Sequence, residues 1–424
     1  MRVLIVGSGG REHALAWKLK QSPSVREIFI APGNGGTAEA GTNIPINVDD
    51  IPGLVGFAKE RQIDLVVAGP ELPLVLGLGD ALASESIPCF GPNAFAAQLE
   101  GSKAFAKNIM REAGVPTADF AVFDTFEDAR DYVLAKGAPL VVKADGLAAG
   151  KGVIVAKTTE EALEALEDIM VKEVFGSAGN HVVIEEALVG EEASFLAFCD
   201  GHNVVPLPSS QDHKAVGEGD TGPNTGGMGA YSPAPILPES EYEKTADLVL
   251  RPIVRTLAKK DCPFVGMLYA GLMYTANGPY VLEYNVRFGD PECQPLLMRL
   301  DTDLAEIMTA CVEGRLPSIE VKYKPETSVC VVMAAAGYPG AYPKGMAISG
   351  IAQADDLDNV KVFEAGTKLM DGKTVTSGGR VLGVTALGAD LKAAQERAYE
   401  AVSKISYDSS YYRRDIGDKG LKRP

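Results

Sequence analysis

The sequence predicts a multidomain α/β protein. Its 424 residues exceed what one hydrophobic core normally organises, so two to four domains are expected. Over residues 1–100, short apolar runs alternate with helical stretches, which indicates a doubly wound parallel α/β domain. From residue 326, strand-like runs, a Gly/Pro-rich turn region and a closing helix indicate a separate α+β domain.

The hydrophobic pattern marks each element of the N-terminal domain. Residues 3–6 form a continuous apolar run, and similar runs recur at 27–31 and 65–68. Such runs are typical of strands that are covered on both faces. A helical stretch at 11–20 follows the first run, and residues 88–92 indicate a short strand and its stop.

The rest of the chain predicts three further units, at residues 101–190, 191–325 and 326–424. In the first we expect a helix to about 114, a helix capped by Thr158 or Thr159, and strands near 118–123, 140–144, 153–156 and 182–185. In the second and third we expect strands at 264–274, 279–283, 328–336 and 381–386, and a helix at 390–405. Residues 211–235 show no hydrophobic period, which predicts a long functional loop.

Composition argues against several classes of protein. The formal net charge of −17 argues against a nucleic-acid partner, because phosphate backbones are bound by Lys and Arg. No apolar run approaches the ~20 residues of a membrane span, and the amino terminus enters a strand pattern rather than a signal peptide. The six scattered cysteines lack CxxC spacing, so neither zinc nor a disulfide framework is expected. We expect a cytoplasmic, monomeric protein with small-molecule ligands.

A glycine cluster follows the first predicted strand and opens the first helix. The run Gly7-Ser8-Gly9-Gly10-Arg11-Glu12-His13 places free N–H groups at a helix N-terminus, which favours an anion. A dinucleotide site would need glycine at position 12 and an acidic residue ending the second strand, and the sequence has neither. A phosphate or sugar phosphate fits better, and a plain tight turn is the alternative.

Two lysines and a second glycine-rich segment indicate a nucleotide phosphate site. Residues 146–152 lie between two predicted strands and do not match the P-loop pattern. Such a segment can form a flap whose N–H groups cover ATP phosphates. Lys143, at the end of a strand, and Lys103, at a helix start, would neutralise phosphate oxygens, although an isolated lysine is as often a solvated surface charge.

Acidic residues follow the strand at 182–185. A strand that runs into Glu185, Glu186 and Leu188 can present backbone amides to adenine, and a nearby carboxylate can accept from ribose hydroxyls. Several acidic residues together are usually a solvated edge, so this pattern alone decides nothing.

Glu283, Asn285 and Arg287 alternate along a predicted strand and therefore share one face. Carboxylate and amide oxygens suit Mg²⁺, and Arg287 could stabilise a transferring phosphoryl group. Three polar groups buried together without partners would be costly, which favours function over core packing. Upstream, the glycine-dense stretch 219–230 after Asp212 and His213 suits a loop around a small polar ligand, although a lone histidine is more often structural.

In this order, the motifs resemble an ATP-grasp domain, and together with the runs Gln211-Asp212-His213-Lys214 and 222–231 they resemble the phosphoribosylamine–glycine ligase family nearly end to end. The resemblance implies a central ATP-grasp fold of two subdomains. It also implies that glycine, ATP and 5-phosphoribosylamine give glycinamide ribonucleotide, ADP and phosphate through a glycyl phosphate, the second step of purine synthesis. One departure from the family is visible at Ala215, where a basic residue often stands.

The resemblance also implies roles for individual residues. Magnesium or manganese would be held by Glu283 and Asn285, and the chemistry would depend on Arg287, Lys143 and Asp212. ATP would contact Lys103, Lys143, Gly150, Gly152, Glu185, Glu186, Leu188 and Glu192. The other two substrates would contact Gly9, Gly10, Arg11, Asp212, Asp220, Asn224, Thr225, Gly226 and Pro291.

Three alternatives stay open at this stage. Another ATP-grasp carboxylate–amine ligase, a purine-pathway carboxylase or a biotin-dependent carboxylase subunit would share the ATP site but is disfavoured by the 211–231 stretch. An NAD-linked oxidoreductase is disfavoured by Glu12. A nucleotide-binding regulatory protein without catalysis would not need the complete set of Glu283, Asn285 and Arg287.

Overall fold

The computed structural model describes residues 1–148 and 152–423. The N-terminal part contains strands β1 (Arg2–Gly7), β2 (Glu27–Pro32), β3 (Thr42–Asn43), β4 (Leu65–Ala68) and β5 (Cys89–Phe90). Its helices are α1 (Gly10–Leu19), α2 (Thr37–Ala40), α3 (Ile51–Glu60), α4 (Leu72–Val75), α5 (Leu78–Ser84) and α6 (Ala94–Gly101).

The five strands form a parallel sheet in the order β3-β2-β1-β4-β5. Alternate residues of β1 enter two different cores: Val3 and Ile5 pack in one, and Leu4 and Val6 in the other. The sheet is therefore covered on both faces, which confirms the expected doubly wound domain. The strand order reverses between β1 and β4, so a crevice opens at the carboxyl ends of these strands.

The next unit is a four-stranded antiparallel sheet with helices packed on it. Its elements are α7 (Lys103–Ala113), β6 (Phe120–Phe123), α8 (Phe126–Lys136), β7 (Leu140–Ala144), β8 (Val153–Ala156), α9 (Thr159–Leu166) and β9 (Val182–Glu186). The strand order is β6-β9-β7-β8. Thr158 is the helix cap, because its side chain accepts a hydrogen bond from the N–H of Glu161.

A second four-stranded antiparallel sheet carries the site. It has the order β11-β10-β16-β17, from β10 (Glu191–Asp200), β11 (Val204–Pro206), β16 (Val265–Thr275) and β17 (Gly278–Asn285). The helices of this part are α10 (Tyr242–Val249), α11 (Arg251–Ala258), α12 (Cys293–Arg299) and α13 (Leu304–Val312).

The stretch 211–235 is not the structureless loop that the sequence predicts. It contains four short strands, β12 (Gln211–Asp212), β13 (Ala215–Gly217), β14 (Thr221–Asn224) and β15 (Gly229–Ser232). β13 and β14 form a hairpin, while β12 and β15 extend the C-terminal sheet. These strands are two to four residues long and rich in glycine, so they lack the alternating hydrophobic pattern from which a strand is predicted.

The C-terminal part packs one sheet against helices. Its strands are β18 (Thr327–Ala335), β19 (Val360–Glu364), β20 (Thr367–Met370), β21 (Lys373–Thr376), β22 (Arg380–Gly388) and β23 (Ser410–Tyr411), and its helices are α14 (Ile351–Asp355), α15 (Leu391–Val402) and α16 (Asp418–Leu421). The main sheet runs β12-β15-β18-β22-β19, with β23 on β18, and it crosses the predicted boundary at residue 325.

Two buried contacts fasten the N-terminal domain to the C-terminal sheet. The N–H of Glu364 donates to Nδ1 of His13 at 2.8 Å, and the Asn34 amide donates to the Glu364 carbonyl at 2.8 Å. Burial lowers the pKa of His13 to about 3, with the Lys361 charge contributing, so the ring is a neutral acceptor. The crevice at β1 is thus closed on one side by C-terminal residues.

All six cysteines are free thiols, and four of them are buried. Within the described ranges, every helix is too short or too polar to cross a bilayer.

Candidate active site

The two predicted phosphate-binding lysines lie at one site. Lys103 opens α7 behind its cap Ser102, and its Nζ donates to the Gly146 carbonyl at 3.0 Å. Lys143 is the penultimate residue of β7, and its Nζ lies 3.4 Å from the Leu282 carbonyl, next to Glu283. Burial lowers the pKa of Lys103, Glu283 raises it and Lys143 lowers it further. The two lysines and Glu283 are therefore close enough for their charges to shift the pKa of Lys103.

Glu185 is the common partner of two buried lysines. Its Oε1 lies 2.8 Å from Nζ of Lys143, and its Oε2 lies 2.9 Å from Nζ of Lys107. Lys107 also donates to the Thr117 hydroxyl at 2.6 Å. Lys107 was not predicted from the sequence, although its spacing of four from Lys103 puts both on one face of a helix. The Glu185 side chain therefore orients Lys143.

Glu283 and Asn285 lie two apart on β17, at the edge of this site. Glu283 pairs across the sheet with Gly271, where an added Cβ would lie 3.2 Å from Cγ of Glu283. Burial raises the pKa of Glu283, but the charges of Lys214, Lys143 and Lys103 outweigh it, so the net pKa is lowered. The carboxylate is therefore ionised and available to a cation.

Arg287 is held by carboxylates from the N-terminal domain. Its Nη2 donates to Glu100 at 2.5 Å and to Oδ1 of Asn285 at 3.1 Å, and its Nε lies 3.4 Å from Glu71. Its Nη1 donates to the Phe288 carbonyl at 3.2 Å. Burial raises the pKa of Glu100 to about 7, against the lowering effect of Arg287. Among residues 1–148 and 152–423, four of the five N–H groups of Arg287 have partners, which leaves one for a substrate.

Lys214 lies between a predicted nucleotide residue and a predicted metal residue. This position was not predicted from the sequence. Its Nζ lies 3.0 Å from Glu192 and 3.8 Å from Glu283. Both the N–H and the hydroxyl of Thr225 donate to the Lys214 carbonyl, at 2.7 and 2.8 Å. The predicted substrate residue Thr225 thus fixes the backbone of Lys214.

Two carboxylates lie close together beyond Lys214. Burial raises the pKa of Asp212, and the Glu292 charge raises it further, to about 8. Glu292 is itself buried and accepts hydrogen bonds from the hydroxyls of Ser194 at 3.0 Å and Tyr269 at 2.6 Å. A bound cation would relieve the repulsion between these carboxylates.

A pocket of about 340 Å³ lies at the carboxyl end of β1 and is lined by the N-terminal part, by Asp290 and by the C-terminal part. Its polar lining includes Ser8, Gly9, Asn34, Asp290, Thr367 and Arg380. Arg380 donates to the carbonyls of Gly226 and Asp290, at 2.7 and 2.5 Å. A larger crevice of about 1250 Å³ opens at the opposite edge of the sheet, around Arg2 and Asp64. We favour the smaller pocket, because ligands of open α/β sheets bind at the carboxyl ends of strands.

The Glu12 side chain packs against the backbone of the first glycine cluster. The Glu12 carboxylate accepts from the N–H of Gly9, and an added Cβ on Gly7 or Gly69 would lie 2.5 or 2.0 Å from the Glu12 side chain. The carboxylate therefore occupies the place where a dinucleotide pyrophosphate would approach. Gly9 lines the 340 Å³ pocket, while Gly10 packs against Gln294.

The remaining predicted residues are distributed as follows. Arg11 is buried and turns toward Glu12 and the Phe288 carbonyl. The Asp220 carboxylate pairs with Arg413 at 3.0 Å and Lys419 at 2.6 Å, and Asn224 is exposed at the end of β14. The N–H of Gly226 bonds the Tyr338 hydroxyl, Pro291 packs on Gly227, Glu186 is exposed, and Leu188 is half-buried. Gly152 packs against Ala148, and Gly150 lies outside the described residues.

Glu283 and Asn285 fit a divalent cation of the magnesium type. Across residues 1–148 and 152–423, there is no cluster of three or more His, Cys, Asp and Glu side chains arranged around a metal. Mg²⁺ commonly takes one or two protein oxygens and completes its shell with water and nucleotide phosphates. One ionised carboxylate and one amide oxygen beside phosphate-binding lysines match that requirement.

Three family models match the chain in succession. The N domain of phosphoribosylglycinamide synthetase matches residues 1–100, its ATP-grasp (A) domain matches residues 101–293, and its C domain matches residues 328–419. The chain belongs to the phosphoribosylglycinamide synthetase family. The family and the ATP-grasp architecture that the sequence predicts are therefore confirmed.

Relatives of known name agree with this membership in the phosphoribosylglycinamide synthetase family. The phosphoribosylamine–glycine ligase of Rhodopirellula baltica is 53% identical over 426 residues, covering 99% of this chain and 98% of the relative. That of Vibrio parahaemolyticus is 54% identical, covering 100% and 99%. The crystal structure of the Thermotoga maritima phosphoribosylamine–glycine ligase superposes with a TM-score of 0.86 at 36% identity, covering 98% of this chain and 100% of that one.

Proposed function

We propose that this enzyme joins glycine to 5-phosphoribosylamine at the expense of ATP, giving glycinamide ribonucleotide, ADP and phosphate. The observation that carries the proposal is the convergence of Lys103, Lys143 and Glu283 on one site, together with a pocket that N-terminal residues, Asp290 and C-terminal residues line. The full-length similarity to phosphoribosylamine–glycine ligases selects this reaction among those that an ATP-grasp fold supports.

The reaction requires glycine's carboxylate to become an acyl donor. A carboxylate oxygen attacks the γ-phosphorus of ATP, ADP leaves, and glycyl phosphate forms. The amine of phosphoribosylamine then attacks the carbonyl carbon, loses a proton, and displaces phosphate, which carries the original carboxylate oxygen. No step needs a side-chain nucleophile, so catalysis depends on positioning and on charge stabilisation.

At the nucleotide end, Lys103 and Lys143 would bind phosphate oxygens while Glu185 keeps Lys143 in place. Glu283 and Asn285 would hold Mg²⁺ or Mn²⁺, which would supply positive charge to neutralise the phosphates. Arg287 would contact the transferring phosphoryl group and then the acyl phosphate. Adenine and ribose would lie along Glu185 to Leu188 and at Glu192.

At the amine end, the carboxylates of Asp212 and Glu292 would receive the glycine ammonium group. Burial and then the Glu292 charge raise the pKa of Asp212, and a bound cation would favour its ionised form. The sugar phosphate would occupy the 340 Å³ pocket, where Arg380 and Ser8 offer donors to an anion.

The direct test is phosphate release from ATP with each substrate omitted in turn. Release should require both glycine and freshly prepared phosphoribosylamine, and Glu283→Ala should abolish it while circular dichroism stays native. The exposed Glu160→Ala, on α9 and outside the proposed site, is the matched control and should keep wild-type activity. ATP consumption that depends on bicarbonate instead of glycine would support the alternative of a carboxylase. Full turnover by Glu283→Ala would refute the metal assignment.

The metal preference, the cytoplasmic location and the monomeric state remain predictions. Titration of activity with Mg²⁺ and Mn²⁺ and size-exclusion chromatography of the purified chain test the first and the last.

A further inference from the structure

The last thirteen described residues lie across the β13–β14 hairpin. We call residues 411–423 the C-terminal strap. The Tyr411 hydroxyl donates to the Val216 carbonyl at 2.9 Å, and the N–H of Arg414 donates to Glu218 at 3.2 Å. The strap therefore contacts successive residues of a hairpin that lies almost two hundred positions earlier in the sequence.

Arg413 is the centre of this contact, and its guanidinium is fully buried. Two of its N–H groups form a fork on Asp415, at 2.8 and 2.7 Å. Its Nη1 donates to the Ala215 carbonyl and to Asp220 Oδ1, both at 3.0 Å. Asp415 in turn accepts from the N–H of Gly219 at 2.8 Å. One arginine thus fixes the start and the tip of the hairpin.

The hairpin is connected directly to the active site at both ends. Ala215 follows Lys214, whose Nζ lies between Glu192 and Glu283. At the other end, Thr225 donates twice to the Lys214 carbonyl. A shift of the hairpin must therefore move Lys214 and the glycine-rich turn after Thr225.

We propose that Arg413 is a positioning residue of the ligation site, acting through the hairpin on Lys214 and on residues 221–227. Asp220 is part of the same contact, because its two carboxylate oxygens pair with Arg413 and Lys419. The inference rests on the proposed function, because residues 221–227 matter as the surface that meets the amine substrates. A buried fork of this kind is specific in geometry, so lysine is a poor substitute for arginine.

Kinetics of Arg413→Gln test the proposal. A displaced hairpin should raise KM for glycine about 10- to 100-fold, because small misplacements of a binding surface are costly. KM for ATP should rise clearly less than KM for glycine, because Lys103 and Lys143 contact neither the strap nor the hairpin, and the hairpin reaches the nucleotide site only through Lys214 at Glu192 and Glu283. Asp220→Asn should shift glycine KM in the same direction, and Arg413→Lys should recover only part of the loss. The adjacent Arg414→Gln, whose side chain is exposed, is the matched control and should behave as wild type.

Hydrogen exchange on the same variants measures the contact between the strap and the hairpin independently of the reaction. Exchange in residues 215–227 should accelerate in Arg413→Gln and Asp220→Asn but not in Arg414→Gln. Unchanged exchange and unchanged glycine KM in folded Arg413→Gln would overturn the proposal, as would an equal rise of KM for ATP and glycine. If Arg413→Gln does not fold, an unchanged glycine KM in Asp220→Asn would overturn it. A wild-type enzyme without glycine-dependent turnover, but with the expected exchange pattern, would instead refute the proposed function.

Discussion

Replacing Glu185 with glutamine should both destabilise the ATP-grasp region and weaken ATP binding. The substitution keeps the shape of the side chain but removes the one negative charge shared by Lys107 and Lys143, which lie 2.9 and 2.8 Å away. Removing one partner of a buried ion pair typically costs about 3–5 kcal/mol, because an uncompensated charge remains. Lys143 would also lose the partner that orients it, so KM for ATP should rise about 10-fold or more.

Deprotonation of Lys107 limits this cost. Burial lowers the pKa of Lys107 to about 8, with Glu185 opposing, so losing its proton at pH 7 costs only about 1.4 kcal/mol. We therefore expect the low end of the range, about 3 kcal/mol at pH 7. Without Glu185 the pKa falls further below its unfolded value. The folded variant then binds fewer protons than the unfolded chain, and its stability rises with pH.

Urea unfolding of wild type and Glu185→Gln at pH 6, 7 and 9, followed by circular dichroism, measures both effects. The difference in free energy of unfolding should be largest at pH 6 and shrink by pH 9. Glu186→Gln changes an exposed neighbour and should shift stability by less than about 0.5 kcal/mol. A difference that is below about 1 kcal/mol at pH 7, or that does not vary with pH, would refute the reasoning.

Three further perturbations address other parts of the site. Arg380→Gln should raise KM for phosphoribosylamine about 10- to 100-fold, since a charge-assisted bond to phosphate contributes about 1.5–3 kcal/mol, and an unchanged value would remove the sugar phosphate from that pocket. Gly271→Ala should raise the Mg²⁺ concentration for half-maximal activity about 10-fold, because its Cβ would lie 3.2 Å from Cγ of Glu283, and a normal Mg²⁺ titration would contradict the metal assignment. Burial lowers the pKa of His213 to about 4, so the contribution of the neutral ring to stability is complete above pH 6.5 and is lost as pH falls toward 4. At pH 5 the loss is roughly 2 kcal/mol. His213→Asn should weaken the acid dependence of the free energy of unfolding by that amount.

The sequence predicted what local chemistry determines. The apolar run at β1 requires a strand covered on both faces, Thr158 caps the helix that follows it, and Glu283 and Asn285 share a face because they are two apart on β17. In each case the signal lies within a few neighbouring residues, so it can be recognised before any tertiary contact is known.

Partners that are distant in sequence could not be predicted. Arg287 is held by Glu71 and Glu100, which precede it by 216 and 187 positions, and no local pattern connects these residues. From the sequence, Glu12 was likewise identified only as a residue that disfavours dinucleotide binding. Its role as the group that caps the first helix depends on Gly69, which β4 brings beside it.

The most direct measurement follows oxygen through the reaction. Glycine labelled with ¹⁸O in its carboxylate is turned over with ATP and phosphoribosylamine, and the released phosphate is analysed by mass spectrometry. If this site activates glycine as an acyl phosphate, each phosphate should carry one oxygen from glycine. Phosphate that acquires no label, although glycinamide ribonucleotide forms, would contradict the account.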